Sequence, residues 1–283
     1  MASQQVSWDR PTEIVVIKPR KGLSPLDLDE LWRFRDLLLA FAEREIKLRY
    51  RQTLLGAGWV VLQPLLSAGI FSLVFGIIAK MPSSGVPYFL ISFSGTLGWT
   101  LFNASFSRIS PSLIGNAPLI RKVFFPRLIA PLAAIPCVLL DFAVSLVLMI
   151  LLLIIFRIMP NWGVLLFPVC ALAILSLSLG LGLVAASLSA RYRDIQHITP
   201  FFIQILMYAS PVGYSVSAVP PGLKAFYLLN PLAAPIEVIR WSLLGVGTPD
   251  FGHLIYSLIV SLACLWGGLV VFRVMERELA DVI

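Results

Sequence analysis

Few side chains in this sequence could do chemistry, and their spacing narrows what that chemistry would be. Asp141 stands alone inside a long apolar run, where a carboxylate either bonds to a neighbouring helix or relays a proton. The structural role is favoured here, with Ser, Thr or backbone of an adjacent helix as the partner. Glu237 and Arg240 lie three residues apart, so one helix face would carry both and let them pair. His197 and His253 fall at the ends of apolar runs, where histidines serve more often as interface residues than as ligands or bases. Cys137, Cys170 and Cys264 sit within apolar segments, with neither a CxxC pair nor metal-ligand spacing. GxxxxGK[ST], HExxH and GxSxG are absent, as is any loop large enough to house paired catalytic carboxylates. No catalytic residue, metal site or cofactor bound by this chain is therefore predicted.

The most distinctive charge cluster is Asn116 to Arg127, NAPLIRKVFFPR. It groups Arg121, Lys122 and Arg127 with Leu119, Ile120, Val123, Phe124 and Phe125, between two long apolar segments. The insert is too basic for lipid and too short for a domain, so it must turn tightly against one membrane face. Pro118 and Pro126 bracket about two turns of helix. Two readings follow. One is an ordinary basic loop retained on the cytoplasmic side. The other is a short helix, residues 116–125, that docks into another protein and passes movement to the spans on either side.

The elements that must hold these residues are set by composition. Charged residues are 13% of the chain, about half of what a soluble domain carries, and mean hydropathy is +0.89. The sequence predicts an all-α polytopic membrane protein. Its net charge of +7 lies mostly outside the apolar runs, which suits loops facing an anionic leaflet and not nucleic acid. Residues 1–26 read as an extended cytoplasmic arm, polar and broken by prolines. Residues 27–53 read as an amphipathic interface helix: Leu31, Phe34, Leu38 and Phe41 share a face, and Lys47, Arg49 and Arg51 gather at its end. The remainder, 54–283, reads as a six-span domain with spans at about 56–79, 87–108, 128–156, 162–189, 196–214 and 252–272.

Between the last two spans the chain stays apolar but is broken by Pro220, Pro221, Gly222, Pro231, Pro235, Gly245 and Gly247. No straight span fits so many breakers, whereas two half-helices dipping in and out over 215–245 do. They would form a gate carried by Pro220, Pro221, Pro231, Glu237 and Arg240; an amphipathic surface loop is the alternative. With six spans both termini share one side. Placing that side in the cytoplasm puts 18 of the 22 Lys and Arg inside, with Lys80, Arg157, Lys224 and Arg240 outside. Phe71, Phe75, Tyr208 and Tyr214 are candidates to line a channel, since aromatic faces stack on sugar rings; interface anchoring and packing suit them too.

Longer runs carry a resemblance. LWRFRDL at 31–37 and REIKLRYRQT at 44–53 precede LGAGW at 55–59 and LQP at 62–64; KVFFPR follows at 122–127 and RYRDI at 191–195. In this order around six spans, the chain resembles the membrane subunit of polysaccharide-exporting ABC transporters. The likeness is nearest to O-antigen exporter permeases, with capsule and teichoic-acid exporters as relatives, and runs from Leu23 to Ile283.

The resemblance implies a homodimer in the bacterial inner membrane above two copies of a separate ATPase subunit, which would hold ATP and Mg. Arg33–Gln52 would be the interface helix. Asn116, Leu119, Ile120, Arg121, Lys122, Phe124 and Phe125 would form the coupling helix received by the ATPase. Arg191, Arg193 and Asp194 would lie on a second turn near it. Spans one and five of both copies would line the channel, and the re-entrant pair would close its exit. The substrate would be a polysaccharide on a polyprenyl diphosphate or related lipid, met at the entrance by Arg49 and Arg51. Three rivals remain: a sibling ABC permease for drugs or lipids, a membrane-embedded transferase acting on lipid-linked sugars, and a secondary transporter. The scarcity of intramembrane charge and of acid–base groups disfavours the last two.

Overall fold

The computed structural model describes residues 28–50, 58–83 and 85–282. The 1–26 arm and Arg51 lie outside the described residues. Among those described, secondary structure is helical throughout.

The chain opens with α1 (Leu28–Arg33) and α2 (Arg35–Tyr50). Helix α3 (Gly58–Phe71) runs on through a wider turn over Ser72–Ile78, where the Ala79 amide donates to the Val74 carbonyl five residues back at 2.9 Å. After α4 (Tyr88–Ile109) come two single turns, α5 (Ser112–Gly115) and α6 (Ala117–Ile120). Helices α7 (Ile129–Leu132) and α8 (Ala134–Ile155) are nearly continuous, and α9 (Phe167–Arg191) is entered through a tight turn at Trp162–Leu166. Then follow α10 (Ile195–Tyr208), α11 (Pro221–Leu228), α12 (Ala233–Leu244) and α13 (Phe251–Val282).

Four stretches are long and apolar enough to cross a membrane: Gly58–Ile78, Ile129–Ile155, Trp162–Arg191 and Phe251–Glu276. The other two expected spans look different. At 22 residues α4 is about 33 Å long, enough for a hydrocarbon core of about 30 Å. Its interior, however, carries Ser92, Ser94, Gly95, Thr96, Gly98 and Thr100. Those polar residues are tolerated because α4 is the central helix: every residue from Leu90 to Trp99 is buried, against α3, α8, α9 and α12. Ser94 and Thr96 return their hydroxyls to the carbonyls of Ile91 and Phe93, both at 2.9 Å. The expected fifth span, 196–214, is cut short, because α10 has 14 residues and the chain then turns through 209–215, past Pro211 and Gly213.

The core is built around α4, where Phe93, Leu97 and Phe102 meet Ile174, Ile236 and Ile239. Helices α9 and α13 share the most extensive contact among the described elements. A Cβ on Gly180 would stand 2.3 Å from the Cys264 carbonyl oxygen, and one on Gly268 would stand 2.3 Å from that of Gly180. Two glycines facing each other let these backbones touch.

Candidate functional site

At the end of the bundle that carries the basic loop, α2 lies against residues 112–133. Phe41, buried on α2, meets Phe125 with ring centroids 5.4 Å apart. Ile129 and Ala133 complete that contact, with Leu31, Phe34, Leu37 and Leu38 on one side and Leu119 and Ile120 on the other. One turn later Arg44 donates to Asn116 Oδ1 at 3.0 Å, while Asn116 Nδ2 donates to the Ser112 carbonyl at 2.9 Å.

The loop is therefore less helical and more inward-facing than its prolines suggest. One turn forms, α6, followed by a turn at 121–123 and extended chain to Pro126. Pro126 disfavours helical backbone at Phe125, and burying that ring on α2 draws the chain away from a helical path. Asn116 and Phe125 are used internally and Leu119 and Ile120 are half-buried, whereas Arg121, Lys122, Val123 and Phe124 are exposed. Arg127 ties the loop to the end of α13, its Nη1 donating to the Glu276 carbonyl at 2.8 Å. Beside that tie lies a cavity of about 240 Å³, lined by Val123, Phe124, Arg127, Phe272 and Arg273 among others. Arg191, Arg193 and Asp194 are exposed on the turn between α9 and α10. That turn lies at the same end, since Ser110 and Thr199 approach to 3.4 Å.

Asp141 does not bond to Ser, Thr or backbone of a neighbouring helix, as expected; it bonds to charge. Its Oδ2 accepts from Arg49 Nε at 2.9 Å and from Arg108 Nη2 at 3.2 Å, and its Oδ1 from the Tyr50 hydroxyl at 2.8 Å. The reason is that the end of α2 brings Arg49 and Tyr50 against α8, and the last turn of α4 brings Arg108. Burial, reinforced by the Asp141 carboxylate, pushes the Tyr50 phenol up to about 12. Arg49, an expected entrance residue, is thus committed to an ion pair. Arg44, Tyr50 and Arg108 were not singled out in the sequence. Arg108 left one signal, as the cation closing a charge-free run.

At the opposite end Glu237 and Arg240 pair at 2.5 Å, and both are buried. The Arg240 guanidinium also donates to the carbonyls of Pro211 at 2.5 Å, Val212 at 3.2 Å and Ile91 at 3.4 Å. Glu237 accepts from the Ser215 hydroxyl and the Val216 amide. Pro220 is exposed ahead of α11, Pro221 is its first residue, and Pro231 is half-buried in the turn to α12. Phe71, Phe75 and Tyr214 form a run of rings with centroid separations of 6.0 and 5.5 Å. Tyr227, which sequence reasoning missed, extends it, donating its hydroxyl to that of Tyr214 at 3.0 Å. Tyr208 contributes its carbonyl to Tyr214 at 3.0 Å, while its ring joins His197, Phe201 and Gln204 in one exposed stripe of α10, at spacings of four, three and four.

Comparison with known proteins places this geometry. The chain is 30% identical over 254 residues to the O-antigen export system permease protein RfbA of Myxococcus xanthus, covering 89% of this chain and 97% of that protein. It is 25% identical to the protein of the same name from Klebsiella pneumoniae, covering 88% and 95%. To the polysialic acid transport protein KpsM of Escherichia coli it is 24% identical, covering 83% and 92%. The profile of the ABC-2 type transporter family matches residues 36–244, from the start of α2 to the last residue of α12. A multi-pass membrane protein matched over that span belongs to the ABC-2 type transporter family.

Proposed function

We propose that the chain is the transmembrane subunit of an ATP-driven exporter that moves lipid-linked polysaccharide of the O-antigen type out of the cytoplasm. The observation that carries this reading is the likeness to O-antigen export permeases over 89% of the chain. Two copies make the channel in the bacterial inner membrane. A separate pair of ATPase subunits binds ATP and Mg and supplies the energy.

Six segments cross the membrane in this arrangement: the four long apolar helices, the central α4, and α10 with the turn that follows it. Both termini and the 116–127 loop face the cytoplasm, as the distribution of Lys and Arg favours. The exposed Arg121, Lys122, Val123 and Phe124 form the ATPase contact, a basic and apolar strip on a loop that buries Asn116 and Phe125. Arg191, Arg193 and Asp194 lie near the same partner. The stripe of His197, Phe201, Gln204 and Tyr208 faces the channel, since an amide and an imidazole on an exposed face at membrane depth suit water better than lipid. Helices α11 and α12 form the re-entrant pair at the exit.

The test is recovery of the tagged chain from its native membrane with whatever accompanies it. A stoichiometric P-loop ATPase is the expected result, and a chain recovered alone would sink the assignment. Reversing Arg121 and Lys122 to Glu is expected to release the ATPase while the permease itself stays folded and assembled. An ATPase still bound and active in that variant would remove the loop from the coupling role.

A further inference from the structure

The stretch that continues α3 holds one residue more than an α-helix would. Over Ser72–Ile78 the chain winds as a π-helix, and beyond it the Met81 amide reaches back to the Phe75 carbonyl at 3.0 Å. The winding closes on Lys80 at φ 49°, left-handed backbone that a helix end normally gives to glycine. Both features cost free energy and persist only where the surroundings over-determine them.

Those surroundings include the start of α4 and the turn after α10. In a π turn residues five apart stack, so Gly76 stands over Phe71; in an α-helix residues four apart do, and Phe75 would take that place. Gly76 fits because it has no side chain: a Cβ there would stand 2.8 Å from the Cβ of Tyr88, the first residue of α4. A phenyl ring fits only if Tyr88 withdraws. The Tyr88 hydroxyl in turn donates to the Gly213 carbonyl at 2.9 Å, and a Cβ on Gly213 would stand 2.7 Å from the Phe75 ring. From Phe75 the contact passes to Tyr214 and then to Tyr227 on α11, with ring centroids 5.5 and 6.1 Å apart. Asn230, just after α11, donates to the Ala209 carbonyl at 2.8 Å and to Ser210 Oγ at 2.9 Å. The turn over 209–215 is thus braced by the π segment on one side and fastens α11 on the other.

We propose that Ser72–Ile78 is a two-state joint that latches the exit. As a π-helix it keeps Phe75 on Gly213 and Tyr214, so that α11 stays fastened. Rewound as an α-helix it hands one residue to the link before α4, turns the end of the span by roughly 100° and draws Phe75 off the turn. Tyr88 must then move, the 209–215 turn loses its brace, and α11 is released. The latch rests on the reading above that α11 and α12 close the exit, whereas the joint rests on its own geometry.

Deleting Val74, an exposed residue, removes the extra residue and forces the α form. In the purified full-length protein, amide exchange over residues 209–230 is then expected to quicken about tenfold, while exchange in α9 and α13 stays as it was. Gly76→Ala, whose methyl meets Tyr88, is expected to act in the same direction by a smaller factor. Leu73→Ala, on the exposed side of the π turn, is expected to change nothing. Reconstituted in liposomes, the deletion variant is expected to leak a small trapped dye that the wild type retains. A π turn with a structural role only would lower the unfolding temperature and quicken exchange throughout the bundle, which would overturn the joint. Unchanged exchange over 209–230 would overturn it too. If the deletion variant fails to fold, Gly76→Ala decides on the same two readouts. Local quickening without leakage would overturn the latch at its premise, that α11 closes the exit. Recovery of the ATPase tests the export reading separately and is untouched by any of these results.

Discussion

A guanidinium cut off from solvent must find acceptors for its N–H groups, and Arg240 finds Glu237 and the carbonyls of Ile91, Pro211 and Val212. Two of these, Pro211 and Val212, lie in the turn after α10, so the side chain replaces the water that non-helical backbone would otherwise need. Arg240→Gln leaves Glu237 buried without its counter-charge and is expected to cost about 3–5 kcal/mol, read as a lowered unfolding temperature in detergent. Glu237→Gln keeps an acceptor and should cost less. The pair was legible from its three-residue spacing. Its burial was not, because the prolines and glycines around it left a surface loop as the alternative to a re-entrant pair, and nothing local reveals that α4 passes behind them. Phe125 shows the same limit. Beside Arg121 and Lys122 it reads as a docking side chain, yet it belongs to the Phe41 contact. Phe125→Ala is expected to cost about 3 kcal/mol and to speed proteolysis within residues 116–127.

Elements divide into those whose ends were marked and those whose ends depend on neighbours. Long apolar runs marked α3, α8, α9 and α13, with Asp141 the one charge inside the run that forms α8. For α4 the same run was visible, but its serines and threonines make sense only from its central position, which a linear pattern does not display. The early end of α10 was signalled by Pro211 and Gly213, residues that also fit the interior of a kinked span. The contact between α9 and α13 is testable with two matched substitutions. Gly180→Ala sets a methyl against backbone and is expected to destabilise by about 1–3 kcal/mol. Gly69→Ala in α3, where a Cβ meets nothing within 4 Å, is expected to stabilise by about 0.5–1 kcal/mol. Thermal unfolding of both variants in one detergent provides the comparison.

The end of α2 carries a prediction in pH. The Tyr50 phenol is raised from 10.0 to about 12, so the folded chain holds that proton more tightly than the unfolded chain does. Its contribution to stability is complete below pH 10 and is lost as pH rises toward 12. Unfolding temperatures measured across that range should fall for the wild type, and Tyr50→Phe should remove that part of the fall.

At the scale of the whole molecule, composition and the placement of Lys and Arg carried the membrane assignment without help from any motif. The family was legible only from several short runs taken together in order. The surfaces proposed to meet a second copy or an ATPase were legible only as exposed apolar and basic side chains. Helix α13 gives those surfaces a mechanical relation. It is one unbroken helix, and Gly268, close to its middle, meets α9 backbone to backbone. From that point it extends about 26 Å to Phe251 and about 12 Å to Glu276, which is tied to Arg127. A rod pinned there is a lever with unequal arms. A displacement imposed on the loop at Glu276 would be roughly doubled at Phe251, where α13 begins.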